Sequence, residues 1–492
     1  MDLIYHISYP ATTTQGPPVK KYEIIAEEIA STIQQGLLKR GDKLPSIRQI
    51  QALKQVNAST VFQAYYLLEA RGLLVTRPRS GYYVAGPLRT ERLLAPASPT
   101  HTGLPTTLQI SDLVFTLLDR IKDPQHVPFG SAFPSPLHFP LSKLADHMVA
   151  AVRRMQPSDT VSDIGQGDVE LRRQIALRYQ LDGTQTDATD IVVTNGALEA
   201  LNLSLAAVTQ PGDSVIIESP SFYAALQAIE RMGLRAIEVP SHPEHGIDLQ
   251  ALEQAIIQHK PKACWVMTNF QNPTGSLMPE TSKQALVALI TRHQLPLIED
   301  DVYRELYFGK QRPLPAKAWD SEGWVMHCSS FSKSLAPGYR VGWVSAGKFT
   351  EQITRLKIST TLATSIPAQQ ALASYLAKGG YDKYLRQLRH QLMLQELQFS
   401  QAIHQYFPEQ VRFNLPQGGY FFWMQLPQQC DCLPLFQQAI AHNISLAPGC
   451  MFSSQQQYAN FVRFNYGHPL NAHSLQAIQT LGHLITQASN QN

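Results

Sequence analysis

Twelve residues, Ser329-Ser330-Phe331-Ser332-Lys333-Ser334-Leu335-Ala336-Pro337-Gly338-Tyr339-Arg340, gather hydroxyls, one lysine and one arginine. A lysine placed just after a strand can hold a carbonyl carbon as a Schiff base, provided its ammonium is desolvated enough to lose a proton. Ser330, three residues before Lys333, and Arg340, seven after it, can converge on a phosphate, the arginine as a fork. Other short clusters offer partners for that chemistry. Thr194-Asn195-Gly196 is a tight turn ahead of a helix whose free amides, at Ala197 and Leu198, suit an anion. Pro220-Ser221-Phe222-Tyr223 supplies an aromatic ring able to stack on a heterocycle. Asn272-Pro273-Thr274-Gly275 holds a side-chain amide, and Glu299-Asp300-Asp301-Val302-Tyr303 holds carboxylates and a phenol.

Short apolar runs must position these clusters. Residues 191–193, 214–218, 265–269, 296–298 and 325–328 read as strands, each ending in one of the clusters. In a parallel sheet such loops gather outside the carboxyl ends of the strands, where ligands bind. The N-terminal region is different. Ile25, Ile29 and Ile33 recur on one face of a helix predicted over 20–35, which Gly36 stops. Ser46 stands where an N-cap belongs, ahead of a helix over 47–55. A third helix starts near Ala58 and buries Val61, Ala64, Tyr65 and Leu68, leaving Ser59, Thr60, Gln63 and Tyr66 facing elsewhere. Short strands at 73–76 and 81–84 then flank a basic tip, Arg77-Pro78-Arg79-Ser80. Three helices and a basic hairpin make a winged helix-turn-helix, whose third helix enters the major groove of double-stranded DNA.

Bulk properties fit two or more domains. The chain has 492 residues, 44% hydrophobic and 16% charged, too long for one ordinary core and too apolar for global disorder. Residues 1–92 carry 12 Lys/Arg against 7 Asp/Glu, a net +5, and the other 400 carry 29 against 31, a net −2. A basic first module suits phosphate-backbone binding. Five scattered cysteines, Cys430-Asp-Cys432 among them, indicate neither a disulfide frame nor a metal site. The opening residues lack the pattern of a signal peptide and no apolar run reaches membrane-spanning length, so a cytoplasmic location is expected. The Pro/Thr/Ser-rich stretch 86–109 reads as a linker between a DNA-binding module over 18–85 and an α/β body over 110–490.

GDKLPSIRQI, STVFQAYYLLEARGLL and RPRSGYYV resemble the DNA-binding domain of GntR-type bacterial regulators. The resemblance implies DNA contacts from Arg48, Ser59, Thr60, Gln63, Arg77 and Arg79, with Lys54 a further cationic anchor. Ala58 stands where many relatives carry a basic residue. The clusters of the body resemble those of fold type I aminotransferases, which use pyridoxal 5′-phosphate. That resemblance implies a large subdomain over about 150–375, and a small one over about 376–490 joined by the segment preceding the large one. It gives Lys333 the cofactor's aldehyde, Asp300 its pyridinium nitrogen, and Asn272 and Tyr303 its phenolic oxygen. Phe222 would stack on the ring, while Ser330, Arg340 and the amides of Ala197 and Leu198 would hold the phosphate. Glu299 or Asp301 remain alternatives to Asp300, and Tyr223 to Phe222. Arg463, in Asn460-Phe461-Val462-Arg463-Phe464, would clamp a substrate carboxylate. The union of both halves resembles the MocR branch of GntR regulators. It implies a homodimeric transcriptional regulator that senses an amino-acid-like effector or the cofactor itself, with slow or half transamination conceivable. The alternative is a working aminotransferase with an appended regulatory module.

Overall fold

The structure is a computed structural model describing residues 20–35, 37–39, 41–70, 72–77, 81–85, 111, 114–115, 126–162 and 164–490. The chain divides into two compact units, residues 1–89 and 90–492. The predicted linker and Arg79 lie outside the described residues, as does the side chain of Arg77.

In the first unit, α1 (Lys21–Gln34), α2 (Ile47–Lys54) and α3 (Ala58–Ala70) precede a hairpin of β1 (Leu74–Arg77) and β2 (Gly81–Val84). Ser46 does cap α2. Its hydroxyl accepts the Gln49 amide at 3.4 Å, and the Gln49 side chain answers by accepting the Ser46 amide at 2.7 Å. The core joins Ile25, Ala26, Ile50, Val61, Tyr65 and Leu68 to Leu74 and Val84 of the hairpin. The buried Tyr65 hydroxyl is satisfied by the Pro45 carbonyl at 2.6 Å, which ties α3 to the turn before α2.

The second unit is built on β3 (Ile191–Thr194), β4 (Ser214–Ser219), β5 (Arg235–His242), β6 (Gly246–Ile247), β7 (Ala263–Val266), β8 (Leu297–Asp300), β9 (Val325–Ser330) and β10 (Gly342–Ser345). They form one sheet in the order β3-β10-β9-β8-β7-β4-β5-β6. β5, β4, β7, β8 and β9 pair in parallel, while β10 runs antiparallel to both its neighbours. Both faces are covered. Val215 and Ile217 join one apolar cluster, and Ile216 between them joins the other. This two-sided burial explains why the strands read as unbroken apolar runs instead of alternating ones. Beyond helix Gly380–Tyr406, β11 (Arg412–Phe413), β12 (Phe421–Gln425), β13 (Ala447–Pro448) and β14 (Phe461–Asn465) form a smaller antiparallel sheet in the order β11-β12-β14-β13.

Among the described residues no helix is long and apolar enough to cross a membrane, and no group of side chains could hold a metal ion. All five cysteines are free and buried.

Candidate functional site

The parallel strands deliver their clusters to one edge. Lys333 follows β9 by three residues and is half-buried. Its ammonium donates to the Ala132 carbonyl at 2.8 Å and lies 3.6 Å from the centre of the Phe133 ring. Burial, reinforced by the positive charges of Arg463 and Arg340, lowers its pKa to about 7 against the opposing pull of Asp300.

Three acidic residues compete in sequence for the place facing Lys333, and the structure separates them. Glu299 accepts Thr268 Oγ1 at 2.5 Å and the amides of Ala316 and Lys317 at 2.6 and 3.0 Å. Asp301 accepts His327 Nε2 at 2.8 Å and Asn269 Nδ2 at 3.0 Å, and lies 3.5 Å from Arg304. These partners hold its carboxyl below the usual range despite burial. Asp300 alone keeps a buried oxygen, Oδ1, with no hydrogen-bond partner. Burial first, and then the charge of Asp301, lift its pKa to about 7. An unpaired buried carboxylate oxygen costs enough that it is expected to face a donor.

On the other side, Asn272 donates to the Tyr303 hydroxyl at 3.3 Å and accepts Arg463 Nη1 at 2.7 Å. Arg463, on β14, is fully buried. Its Nη2 donates to the Gly130 carbonyl at 2.7 Å and its Nε has no partner. The guanidinium sits over the rings of Phe421 and Phe452, 4.5 and 5.3 Å from their centres. One arginine therefore bridges the small sheet to the loop after β7.

Arg340 Nη1 donates to Ser332 Oγ and its Nη2 to the Asn195 carbonyl, both at 3.2 Å, while Ser330 Oγ accepts the Ser332 amide at 3.3 Å. Gly196 lets this happen. Its φ is +86°, and a Cβ there would stand 2.3 Å from Arg340 Nη2. Helix Ala197–Val208 begins at Gly196 without a side-chain cap, which leaves its first amides unclaimed by a capping side chain. Leu198 is exposed and can offer only its main chain. Phe222 caps helix Tyr223–Arg231, its ring 4.6 Å from that of Tyr223.

Hydrogen bonds and charge thus bring together Lys333, Asp300, Asn272, Tyr303 and Arg463, with Ser330 and Arg340 in a second group beside the Gly196 turn. Sequence reasoning missed Ser332, although it lies in the same motif as Lys333. It also missed Gly130, Ala132 and Phe133, which act partly through carbonyls. In the first unit, Arg48, Ser59 and Gln63 are exposed and Thr60 is half-buried. Lys54, expected as a further anchor, is exposed and ion-paired to Glu28 at 2.6 Å.

Residues 140–476 match the aminotransferase class I and II family, and residues 21–84 match the bacterial regulatory proteins of the gntR family. The HTH-type transcriptional regulator YdcR of Escherichia coli (strain K12) is 45% identical, over 95% of this chain and 100% of its own length. The regulator YjiR of the same organism is 35% identical, over 95% and 99%. This chain belongs to the HTH-type transcriptional regulators of MocR architecture. Among solved structures, the α-aminoadipate aminotransferase LysN of Thermus thermophilus is 27% identical with a TM-score of 0.69, over 77% of this chain and 99% of its own. A multiple substrate aminotransferase from Thermococcus profundus superposes with a TM-score of 0.71, at 24% identity, over 77% and 96%. The MocR-type chain therefore joins a GntR winged helix to a body of the fold type I transferase class.

Proposed function

We propose that this regulator binds an operator in double-stranded DNA through its winged helix. In this reading an amino-acid-like effector is sensed at a pyridoxal 5′-phosphate site in the body, and the active unit is a homodimer. The observation that carries the reading is the convergence of Lys333, Asp300 and Arg463 at one sheet edge, in a chain that also contains a winged helix.

The residues present fit the cofactor. A desolvated amine, a buried carboxylate oxygen lacking a donor and an uncapped helix start beside Arg340 are the three things its aldehyde, ring nitrogen and phosphate need. Lys333 would hold the aldehyde, Asp300 the ring nitrogen, and Asn272 with Tyr303 the phenolic oxygen. Phe222 would cover the ring face, and Ser330, Arg340 and the amides of Ala197 and Leu198 would hold the phosphate. Bound there, the cofactor would supply an aldehyde that condenses reversibly with primary amines and a ring that withdraws electrons.

Arg463 selects for a carboxylate. Its Nε is free of partners, and its Nη1 is held by the Asn272 amide oxygen, a neutral acceptor weaker than a carboxylate. A carboxylate drawn to this guanidinium weakens the bridge between the small sheet and the Asn272 loop. Such a ligand shifts an equilibrium only by binding two arrangements unequally, and this bridge differs between them. The predicted subdomain bounds, about 150–375 and 376–490, are the halves we take to move.

The test uses the full chain. Borohydride reduction of protein loaded with the cofactor, followed by peptide mass spectrometry, is expected to mark Lys333. Footprinting upstream of neighbouring genes is expected to show sequence-selective protection that a panel of amino acids alters. Amino-donor turnover at ordinary enzyme rates, with no selective DNA binding, would instead establish the transaminase reading.

A further inference from the structure

The outward face of α3 has a composition that the general function leaves unexplained. Val61, Ala64, Tyr65 and Leu68 are fully buried, which turns Ser59, Phe62 and Gln63 outward in the first two turns. Phe62 is 54% exposed, and Ser59 and Gln63 are exposed beside it on that side of the helix. An aromatic ring exposed on this face gains free energy where an apolar group of a partner covers it. The helix also contains no lysine or arginine, since its thirteen residues read ASTVFQAYYLLEA. Its one acidic side chain, Glu69, accepts the Thr76 hydroxyl at 2.6 Å near the far end.

Base edges in the major groove differ in what they ask of a protein. Guanine is read by the fork of arginine or by lysine, adenine by the two-ended amide of glutamine or asparagine, and thymine by apolar contact with its C5 methyl. The N-terminal turns of a recognition helix are the part that reaches these edges. Resting on the proposal that α3 enters an operator, we infer that Phe62 and Gln63 are specificity-determining residues for A·T pairs. Phe62 packs on a thymine methyl and Gln63 pairs with an adenine. The half-site core beneath α3 is therefore A·T in composition, and any guanine is read from outside this helix.

Uracil, which is thymine without the methyl, tests this directly. The full-length protein selects its operator from a random duplex pool, and each thymine of that operator is then replaced singly by uracil. Wild type is expected to lose about fourfold in affinity at one thymine per half-site, the worth of one buried methyl. Phe62→Ala is expected to bind more weakly yet to be indifferent to uracil there, and Phe62→Leu to keep part of the response. Gln63→Ala should lose its preference for adenine at an adjacent pair. Selective binding that ignores uracil at every position, or a Phe62→Ala protein with an unchanged uracil response, would overturn this assignment while leaving the regulator reading intact. A protein that selects no sequence would overturn both.

Discussion

Burial strips water from Lys333 and from Asp300 alike, and the two respond in opposite directions. The ammonium falls to about 7 and the carboxyl rises to about 7. Only the neutral amine can attack an aldehyde, so attachment of the cofactor should rise about tenfold per pH unit below 7 and flatten above it. Stopped-flow absorbance across pH 5 to 10 measures this. A rate still climbing at pH 10 would mean an ordinary, solvated lysine. A second buried carboxyl, Glu218, is also pushed up, to about 8, chiefly by burial. It accepts the Met267 amide at 2.8 Å, and no role in ligand binding is assigned to it. Here the linkage sign is that of a raised acid. The unfolded chain releases the proton near 4.5 and the folded one holds it to about 8, so the group costs stability increasingly as pH climbs between them. Glu218→Gln removes that cost and keeps an acceptor for Met267. The stability of the variant relative to wild type, read by denaturant titration, should therefore rise from pH 5 to pH 8 by on the order of a few kcal/mol. A difference independent of pH would show that Glu218 is ionised in the folded protein.

At the scale of elements, the corner proposed to hold the phosphate depends on one backbone position. Gly196 has φ +86° and ψ 169°, a region that side chains disfavour, and it leaves room for Arg340 to cross to the Asn195 carbonyl. Gly196→Ala should displace Arg340 and weaken cofactor binding roughly tenfold or more, the worth of one charge-assisted hydrogen bond. Titration of the visible absorbance reads this loss, and borohydride should still mark Lys333. Unchanged affinity would place the phosphate elsewhere. The strands behind this corner were legible because both faces are buried, leaving continuous apolar runs. Their ends were less so: β8 reaches Asp300 itself, where the apolar pattern had stopped at Ile298. α2 was legible through Ser46, whose capping chemistry is local. The segment carrying Gly130, Ala132 and Phe133 was not, since it has no period and its carbonyls contact Arg463 and Lys333 without needing a particular side chain. In the sequence, only the family resemblance set Asp300 above its neighbours Glu299 and Asp301. The partners that occupy Glu299 and Asp301 come from distant loops, which spacing cannot reveal.

The whole molecule presents a surface that a lone chain would not be expected to leave bare. Leu137 is 83% exposed, and Leu141, Val149, Val152, Val161 and Ile164 follow it as exposed apolar side chains within a short span. Helix Leu141–Arg154 supplies three of these residues, and apolar side chains that gather on a surface mark an interaction site. A second copy of the chain is the occupant that the proposed homodimer requires. Two winged helices carried on one dimer would bind a paired operator with an avidity of about 10²- to 10⁴-fold over one alone. The double variant Leu137→Asp, Val152→Asp places unpaired charge on this face and leaves the buried core untouched. In sedimentation it should run as a monomer. Its affinity for a duplex with two half-sites should drop by about 10²-fold or more, to the level of a single half-site, while its affinity for a single half-site stays the same. A variant that remains dimeric would move the interface elsewhere. One that becomes monomeric yet keeps its paired-site affinity would show that each winged helix reads DNA independently, and that an effector held at Arg463 cannot act by changing the spacing between two readers.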